Sequence, residues 1–435
     1  MEVQITSRKL ITPSSPTPPH LQNTRVTCFD QLAPFFYVPT IFYYPVDGEE
    51  YAVKNAEKSL QLQKSLSEIL TLYYPFAGRY ARDNLSIECN DKGVEYLEAK
   101  VYGSLSQFLQ RTSPNHLVQQ NFHPHYSSPL AVQFNEFECG GVAIGISMTH
   151  KIGDGFTMFT LINNWATACR IGVNKVHPPS FELGIIFPPR EASRVQNVVL
   201  GRAPTNKIVT KKFVFDGEAI SNLKVAASAS SSQFNRHQLT RVKVVTALIW
   251  SAFIRVDQAR DGRRRPSMLK VPVNLRGKTN IKIPENSCGN FISWAVTQYL
   301  PNDEIKIQLH ELVSRIHDAI EKTVSNYEKA SNGEDLFFMV NEDFQKVSQA
   351  LKESEADVYM FSCWSRFPLY DADFGWGKPD LASRSVQVER EMILLLDTKD
   401  GKGIEARVSL EENKMLLFLQ DPYILAFSHY KKSRL

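Results

Sequence analysis

The sequence predicts an α/β protein that folds as two domains. The chain has 435 residues, which is more than one ordinary hydrophobic core organises. Patterns typical of strands and of helices alternate in both halves, as they do in mixed α/β architectures. Between the halves, residues 191–207 are polar and lack periodicity, which predicts a linker. We therefore expect an N-terminal domain over 1–190 and a C-terminal domain over 208–435.

The N-terminal half combines one long helical pattern with several strand patterns. The helix is predicted from Ala56 to Leu72, and its buried face would comprise Leu60, Leu62, Leu66, Ile69 and Leu70. The predicted strands are Leu85 to Cys89, Val94 to Val101 and, in a β-rich region that begins at Leu130, the run from Val142 to His150. A second helix is predicted from Phe156 to Arg170.

The C-terminal half shows the same mixture. Strands are predicted from Val209 to Phe215 and from Leu269 to Asn274. A buried helix is predicted from Val242 to Phe253, and an amphipathic helix from Glu304 to Ser325. The end of the chain alternates strand and turn signals, with strand-like runs at Met392 to Leu396, Gly403 to Leu410 and Met415 to Leu419.

Composition and charge exclude several classes of protein. A formal net charge of +4 is nearly neutral for this length, and the one basic run, Arg263 to Arg265, is predicted to be a solvated loop. Because nucleic-acid binding needs a concentrated basic surface, we expect no nucleic-acid partner. The N-terminus lacks the apolar region of a signal peptide, and no apolar stretch is long enough to span a bilayer. We expect a cytoplasmic protein without a membrane partner.

Motifs for metals, nucleotides and hydrolase nucleophiles are missing from the sequence. The six cysteines include no C-x-x-C pair, and His123 and His125 have no matching pair that would complete a metal site. No G-x-S-x-G, G-x-G-x-x-G or P-loop sequence occurs. We therefore predict no metal, no permanently bound cofactor and reduced thiols.

The stretch from Thr149 to Gly155 is the strongest candidate for chemistry. An apolar strand ends at His150, and a turn that contains Asp154 precedes the next helix. This arrangement places an imidazole at the end of a strand, where it could act as a general base near neutral pH. The alternative is a structural histidine with Asp154 as a helix N-cap. The spacing alone leaves both interpretations open.

A second unusual stretch is Asp373-Phe374-Gly375-Trp376-Gly377. Two glycines beside a tryptophan predict a sharp bend with a large ring buried next to it. We expect Trp376 to pack in the interior and Asp373 to anchor the turn through hydrogen bonds or an ion pair. Nothing in these residues by themselves requires a catalytic role.

Together the two stretches resemble the motifs of the BAHD acyltransferases. The residues from His150 to Asp154 match the HXXXD motif, and those from Asp373 to Gly377 match DFGWG letter for letter. Further stretches agree in family order, namely Pro13 to Pro18, Tyr74 to Arg79, Val273 to Arg276, Gly289-Asn290 and Gly401 to Glu405. The resemblance spans nearly the whole chain and favours the branch that contains vinorine synthase and other alkaloid or terpenoid acetyltransferases.

This resemblance implies two chloramphenicol-acetyltransferase-like α/β domains joined by a long crossover loop, with a segment near 355–380 that packs with the N-terminal domain. His150 would be the general base in a channel between the domains. Asp154 would pair with Arg276 and hold the shape of the motif. By position, Ser362 and Trp364 correspond to residues that orient the reacting carbonyl group. The co-substrate would be acyl-CoA, above all acetyl-CoA.

We therefore expect a monomeric acyl-CoA-dependent O-acyltransferase. It would transfer an acyl group, above all acetyl, to a hydroxyl of a plant alkaloid or terpenoid alcohol, by direct transfer in a ternary complex. One alternative within the family is another acyl donor or an amine acceptor. Two others are a hydrolase with Cys363 or a serine as nucleophile and His150 as base, and a catalytically silent small-molecule-binding protein on the same fold.

Overall fold

Two units make up the protein. The computed structural model describes residues 2–45, 52–81, 85–111, 128–191, 207–228, 239–301, 308–353, 356–384 and 391–429. The first unit comprises Met1–Asn197, Lys282–Phe291 and Phe367–Val386, and the second comprises Val198–Ile281, Ile292–Arg366 and Gln387–Leu435. Relative to the predicted division of the chain, the segment Lys282–Phe291 is an addition to the first unit, whereas Phe367–Val386 overlaps the segment near 355–380 that was expected to pack there. Of the predicted linker 191–207, only Glu191 and Lys207 lie within the described residues.

Strands and helices alternate along most of the chain. The strands are β1 (Val3–Ile11), β2 (Asn23–Arg25), β3 (Tyr37–Tyr44), β4 (Arg79–Tyr80), β5 (Ser86–Glu88), β6 (Val94–Val101), β7 (Leu130–Phe137), β8 (Val142–Thr149), β9 (Ile208–Phe215), β10 (Ser267–Asn274), β11 (Ile292–Tyr299), β12 (Asp357–Cys363), β13 (Leu381–Arg384), β14 (Met392–Asp397) and β15 (Ile404–Glu411). The helices are α1 (Cys28–Leu32), α2 (Ala52–Leu72), α3 (Leu105–Arg111), α4 (Gly155–Ile171), α5 (Leu183–Ile186), α6 (Gly217–Ser228), α7 (Arg241–Asp261), α8 (Leu309–Tyr327), α9 (Gly333–Glu353), α10 (Glu412–Phe418) and α11 (Pro422–Phe427). The predicted α/β class is confirmed.

The first unit is organised around a six-stranded sheet with the order β1-β6-β7-β8-β3-β13. Strands β6 and β7 run parallel, and the other neighbouring pairs run antiparallel. Strand β8 is paired on both sides, with β7 and with β3, and all of its residues are buried. This explains why β8 is a nearly continuous apolar run, since a strand covered on both faces has no solvent side.

Helices cover both faces of this sheet. One face packs against α3 in a cluster that includes Ile41, Tyr43, Leu105, Phe108 and Ala143. Because successive strand residues point to opposite faces, Thr40 faces the other side. There its hydroxyl donates to the sulfur of Met158 in α4 at 3.8 Å. Helix α4 is joined to α2 by a hydrogen bond from Trp165 Nε1 to Ser65 Oγ at 3.0 Å.

The second unit is organised around another six-stranded sheet, with the order β11-β10-β12-β14-β15-β9. Strands β10, β12 and β14 are parallel neighbours, and the outer pairs are antiparallel. Helix α7 packs on this sheet and is buried along most of its length, from Val244 to Ile254. The core of this unit also includes Phe213, Leu269, Val313, Tyr359, Leu395 and Ile404.

Most of the predicted elements are confirmed within a few residues, although α7 continues to Asp261, well beyond its predicted end at Phe253. Two further expectations are wrong. The run from Met415 to Leu419 belongs mostly to helix α10 and is not a strand. Met415 and Phe418 are both buried while Leu416 is 59% exposed, which is helical spacing that a five-residue apolar run is too short to reveal. Leu60 is 67% exposed, because the buried stripe of α2 follows Leu62 and Leu66 instead.

The described residues also test two expectations about surfaces. In this part of the chain, no helix combines the length and the apolar character needed to cross a bilayer. In the basic run, Arg263 is exposed as predicted, but Arg265 is half-buried. Its guanidinium lies 3.3 Å from Asp261 and 3.6 Å from Asp357. Arg265 therefore ties the start of β12 to the end of α7, which is a structural role.

Candidate active site

His150 lies at the end of β8, and its main chain is held on both sides. The His150 N–H donates to the carbonyl oxygen of Phe36 at 2.9 Å, which continues the pairing of β8 with β3 beyond Thr149. The His150 carbonyl accepts from Nδ2 of Asn290 at 2.7 Å. The side chain is half-buried, and the ring of Phe36 meets the imidazole edge to face, with the ring centroids 5.4 Å apart. The structure thus presents a partly accessible imidazole on a rigid support.

Asp154 is buried and uses both carboxylate oxygens to organise the motif. It is the N-cap of α4, where Oδ1 accepts from the Thr157 N–H at 3.1 Å. Its Oδ2 accepts from the Phe291 N–H at 3.0 Å. The hydroxyl of Thr157 lies 3.2 Å from Asp154 Oδ1 and accepts from the Gly289 N–H at 3.1 Å. Asp154 therefore caps the helix, which was one of the two interpretations that the spacing left open, and it also binds residues 289–291 to the motif.

Asp30 and Asn290 brace His150 from behind. Asn290 donates both its backbone N–H and its Nδ2 to Asp30 Oδ1, each at 2.8 Å. The other oxygen of Asp30 accepts from the Thr27 N–H at 2.7 Å, which completes a capping box at α1. Burial raises the pKa of Asp30. This network fixes the carbonyl of His150, because the same amide group of Asn290 reaches both residues.

Local sequence patterns do not predict these contacts. Gly289-Asn290 stands out in the sequence only as part of a family signature, and no functional motif includes Asp30. The capping-box pattern from Thr27 to Asp30 is the local signal that was available. It predicts a helix start and carries no information about the distant partner, since Asp30 and Asn290 are 260 residues apart in sequence.

The glycines of the motif are required by close packing. A Cβ at Gly155 would lie 2.8 Å from Cε2 of Phe367, whose ring stacks on Phe159 at 5.1 Å. A Cβ at Gly153 would lie 2.6 Å from Cγ2 of Thr157. These distances are shorter than side chains tolerate, so the turn that follows His150 is packed too closely for larger residues.

The second motif forms the predicted bend. Asp373 Oδ1 accepts from the N–H groups of Gly375 at 2.9 Å and Gly377 at 3.0 Å. Both glycines have positive φ, 112° and 100°, which other residues rarely adopt. Arg170 of α4 adds an ion pair to Asp373 at 3.6 Å. The side chain of Asp373 thus contacts the bend through two hydrogen bonds and Arg170 through an ion pair.

The ring that is fully buried at this bend is Phe374 and not Trp376. Phe374 has no exposed surface and meets Trp165 edge to face with the centroids 4.9 Å apart. Trp376 is half-buried, stacks on Phe374 at 5.8 Å and lies under the ammonium group of Lys58 at 5.7 Å. The expectation that Trp376 packs in the interior is therefore wrong, because its ring covers the buried ring of Phe374 from outside. Which of two neighbouring rings enters the core depends on the bend and not on side-chain size.

Three further candidate residues belong to the second unit. Arg276 follows β10 and donates its N–H to Asn274 Oδ1 at 3.1 Å and its Nη1 to the same oxygen at 3.3 Å. Ser362 lies in β12, paired with Leu394 of β14. The N–H of Trp364, a buried residue, donates to the Leu395 carbonyl at 2.8 Å. Thus His150, Asp154 and the residues from Asp373 to Gly377 share the first unit, whereas Arg276, Ser362 and Trp364 share the second.

Among the described residues, no group of three or more His, Cys, Asp and Glu side chains is placed to hold a metal ion. His123 and His125, for which no metal role was predicted, lie outside the described residues.

Comparison with known proteins decides the family. The model of the Transferase family matches residues 1–425. The chain belongs to the BAHD acyltransferases. Among its BAHD relatives, acetyl-CoA-benzylalcohol acetyltransferase from Clarkia breweri is 34% identical, over 98% of this chain and 100% of the relative. Limonoid 1-O-acetyltransferase from Citrus sinensis is 34% identical over 98% of each chain.

A crystal structure of another BAHD relative matches the whole fold. The structure of vinorine synthase aligns with 100% of both chains at a TM-score of 0.82 and 31% identity. The vinorine synthase sequence from Rauvolfia serpentina is 32% identical over 99% of each chain. The predicted two-domain BAHD architecture is therefore confirmed. As a BAHD member, the protein is an acyl-CoA-dependent O-acyltransferase, with acyl-CoA as co-substrate.

Proposed function

We propose that this enzyme transfers an acetyl group from acetyl-CoA to a hydroxyl of a plant specialised metabolite, an alkaloid or terpenoid alcohol. The support is the set of relatives, whose names include acetyl-CoA-benzylalcohol, limonoid and stemmadenine O-acetyltransferases. In the same proposal, His150 is the general base. The observation that carries this role is the rigid mounting of His150, whose N–H and carbonyl are both bonded at the end of a strand buried on both faces.

The proposed reaction is direct transfer. The imidazole of His150 takes the hydroxyl proton while the acceptor oxygen attacks the thioester carbonyl carbon. A carbon–oxygen bond forms, and the carbonyl becomes a tetrahedral oxyanion that a nearby hydrogen-bond donor stabilises. Collapse of this intermediate breaks the carbon–sulfur bond, and CoA leaves as the thiol after it receives the proton from His150. We assign carbonyl-orienting roles to Ser362 and Trp364 on the family resemblance.

The base role of His150 is tested by His150→Ala. We expect turnover to fall by roughly 10²–10⁴-fold, the usual contribution of a positioned general base. The melting temperature should stay near that of the wild type, because the bonds that hold His150 are made by its main chain. His177→Ala, at an exposed histidine of the same unit, is the matched control and should retain full activity. Activity of His150→Ala near that of the wild type would remove His150 from the mechanism.

The substrates are tested by mass spectrometry on mixtures of acyl-CoA and acceptors. Acetyl-CoA, malonyl-CoA and an aromatic acyl-CoA are each offered with a library of alkaloid, terpenoid and aromatic alcohols and with matched amines. We expect acetyl esters and acceptor-dependent release of free thiol. Another acyl group or an amide product would correct the substrate. Binding without thiol release across the library would instead identify a catalytically silent protein.

We further propose that the enzyme works as a monomer in the cytoplasm. The composition, which is that of an ordinary folded globular protein, favours this location. Light scattering coupled to gel filtration should give one mass near the 49.4 kDa of the chain. A fluorescent fusion in plant cells should fill the cytosol, and accumulation in an organelle would contradict the proposal.

A further inference from the structure

Phe36 contacts His150 through two separate groups. Its carbonyl oxygen accepts the His150 N–H at 2.9 Å, and its ring meets the imidazole at 5.4 Å with an angle of 70° between the planes. The residue is 36% exposed, so its burial alone does not explain a large aromatic side chain at this position. The mechanism described above gives Phe36 no role.

The segment that carries Phe36 is held at both ends. Before it, the Ala33 N–H closes α1 through bonds to the carbonyls of Phe29 at 3.1 Å and Asp30 at 3.2 Å. After it, Tyr37 pairs with Thr149 across the strands β3 and β8, and its hydroxyl donates to the Ser128 carbonyl at 2.9 Å. Phe36 therefore directly precedes β3 and lies opposite His150, and the pairing of the strands sets its backbone position.

We propose that Phe36 is a positioning residue that holds the plane of the His150 imidazole through the edge-to-face contact. The imidazole of a histidine rotates over a broad range about its Cβ–Cγ bond. The hydrogen bonds of the His150 main chain therefore do not by themselves fix the plane of the ring. A general base must reach the proton that it removes, and small errors of placement lower the rate strongly. The Phe36 ring restricts this rotation. This inference rests on the proposed role of His150 as the base.

The test compares three variants in steady-state kinetics. Phe36→Leu keeps an apolar side chain but removes the ring, and we expect kcat to fall by about threefold to tenfold, the range that an aromatic pair contributes. The KM for acetyl-CoA should change little. Phe36→Tyr keeps the ring and should restore kcat. Phe35→Leu is the matched control, since Phe35 is 70% exposed and its ring packs on Tyr37, and it should leave kcat unchanged.

A second readout observes the imidazole directly. In protein labelled at histidine, the ring signals of His150 are assigned by their absence from His150→Ala. We expect these signals to broaden or shift in Phe36→Leu and to stay in place in Phe35→Leu. Unchanged kcat and unchanged ring signals in a folded Phe36→Leu would overturn the positioning role while leaving the base intact. An active His150→Ala would instead remove the proposed function on which this inference rests.

Discussion

His150 and Asp154 are four residues apart, yet the structure uses their side chains in different ways. The carboxylate of Asp154 is buried and accepts from the backbone of Thr157 and Phe291. The imidazole of His150 is half-buried, while its main chain carries the bonds that hold it. Asp154 thus shapes the turn, whereas proton transfer by the side chain of His150 is what we propose. In the HXXXD motif, His150 directly follows β8, the next three residues form the turn, and Asp154 is the N-cap of α4.

Cys363 is predicted to play no part in catalysis. Its side chain packs against the core of the second unit, on the face of β12 opposite to Ser362. Burial raises the pKa of Cys363 to about 11, so little of the nucleophilic thiolate exists near neutral pH. We expect Cys363→Ala to keep most of its activity and the wild type to show no added acyl mass after incubation with acyl-CoA alone.

Initial rates with both substrates varied should then give intersecting lines, as a ternary complex requires. Parallel lines, together with an adduct that disappears in Cys363→Ala, would establish a covalent acyl-enzyme instead.

Lys270 is predicted to lower stability at neutral pH. It lies in β10 with 4% of its surface exposed, and its ammonium group is 5.1 Å from the ring centroid of Trp294. Burial lowers the pKa of Lys270 from 10.5 to about 8. The unfolded chain therefore holds this proton more tightly, so the free energy of unfolding rises as pH increases through the window between the two values.

Lys270→Met removes the buried charge and keeps the volume of the stem. We expect it to raise the melting temperature, with the largest gain below about pH 8 and a smaller gain as pH approaches 10.5. Lys329→Met, at an exposed lysine of the same unit, should show no such pH dependence. A gain for Lys270→Met that is constant with pH would mean that the charge of Lys270 is not what costs stability.

At the scale of elements, the bend from Asp373 to Gly377 depends on one carboxylate oxygen. Because Asp373 Oδ1 receives two N–H groups, an amide oxygen can replace it without loss of either bond. We expect Asp373→Asn to keep most of its stability and activity. Asp373→Ala should lose on the order of 1–2 kcal/mol in the free energy of unfolding, as the removal of a helix cap does, and soluble yield should fall. A stable but inactive Asp373→Asn enzyme would argue for direct participation in catalysis.

Strand β8, the turn after it and the start of α4 together carry the HXXXD motif. Each part has a recognisable local sequence pattern: an apolar run for a strand covered on both faces, glycines for the tight turn and an aspartate at the start of the helix. Helix α10 shows the opposite case. Its apolar run from Met415 is too short to distinguish a helix from a strand. Only its packing in the core of the second unit shows that it is a helix.

At the scale of the whole molecule, the pairing of Asp154 with Arg276 stays a prediction. The two residues belong to different units, so their coupling would join distant parts of the chain. Leaving one partner of a buried ion pair unpaired costs on the order of 3–5 kcal/mol, and we expect Asp154→Ala and Arg276→Ala each to lower the melting temperature and the activity. Asp154→Asn, which can still cap α4, separates loss of charge from loss of the cap.

A double-mutant cycle measures the coupling itself. We expect Asp154→Ala with Arg276→Ala to cost less than the sum of the two single changes, because the second change removes a charge that is already unpaired. Additive losses would mean that the residues are uncoupled.

The sequence by itself determined the α/β class, the order of most elements and the strand-end position of His150, and it offered the cap at Asp154 as part of one of two interpretations. These features depend on residues that are close in sequence, so periodicity and capping patterns are sufficient to predict them. Motif order along the chain also identified the family, which the comparison confirmed.

Only the tertiary structure decided what surrounds His150. Asn290 reaches its carbonyl from 140 residues away, and Asp30 orients Asn290 from 260 residues away. The choice of Phe374 over Trp376 as the buried ring, and the inclusion of 282–291 in the first unit, depend on equally distant contacts. Local propensity carries no information about which remote segment will supply a hydrogen-bond partner. That choice is made by packing, when segments far apart in sequence bury polar groups that must each find a partner.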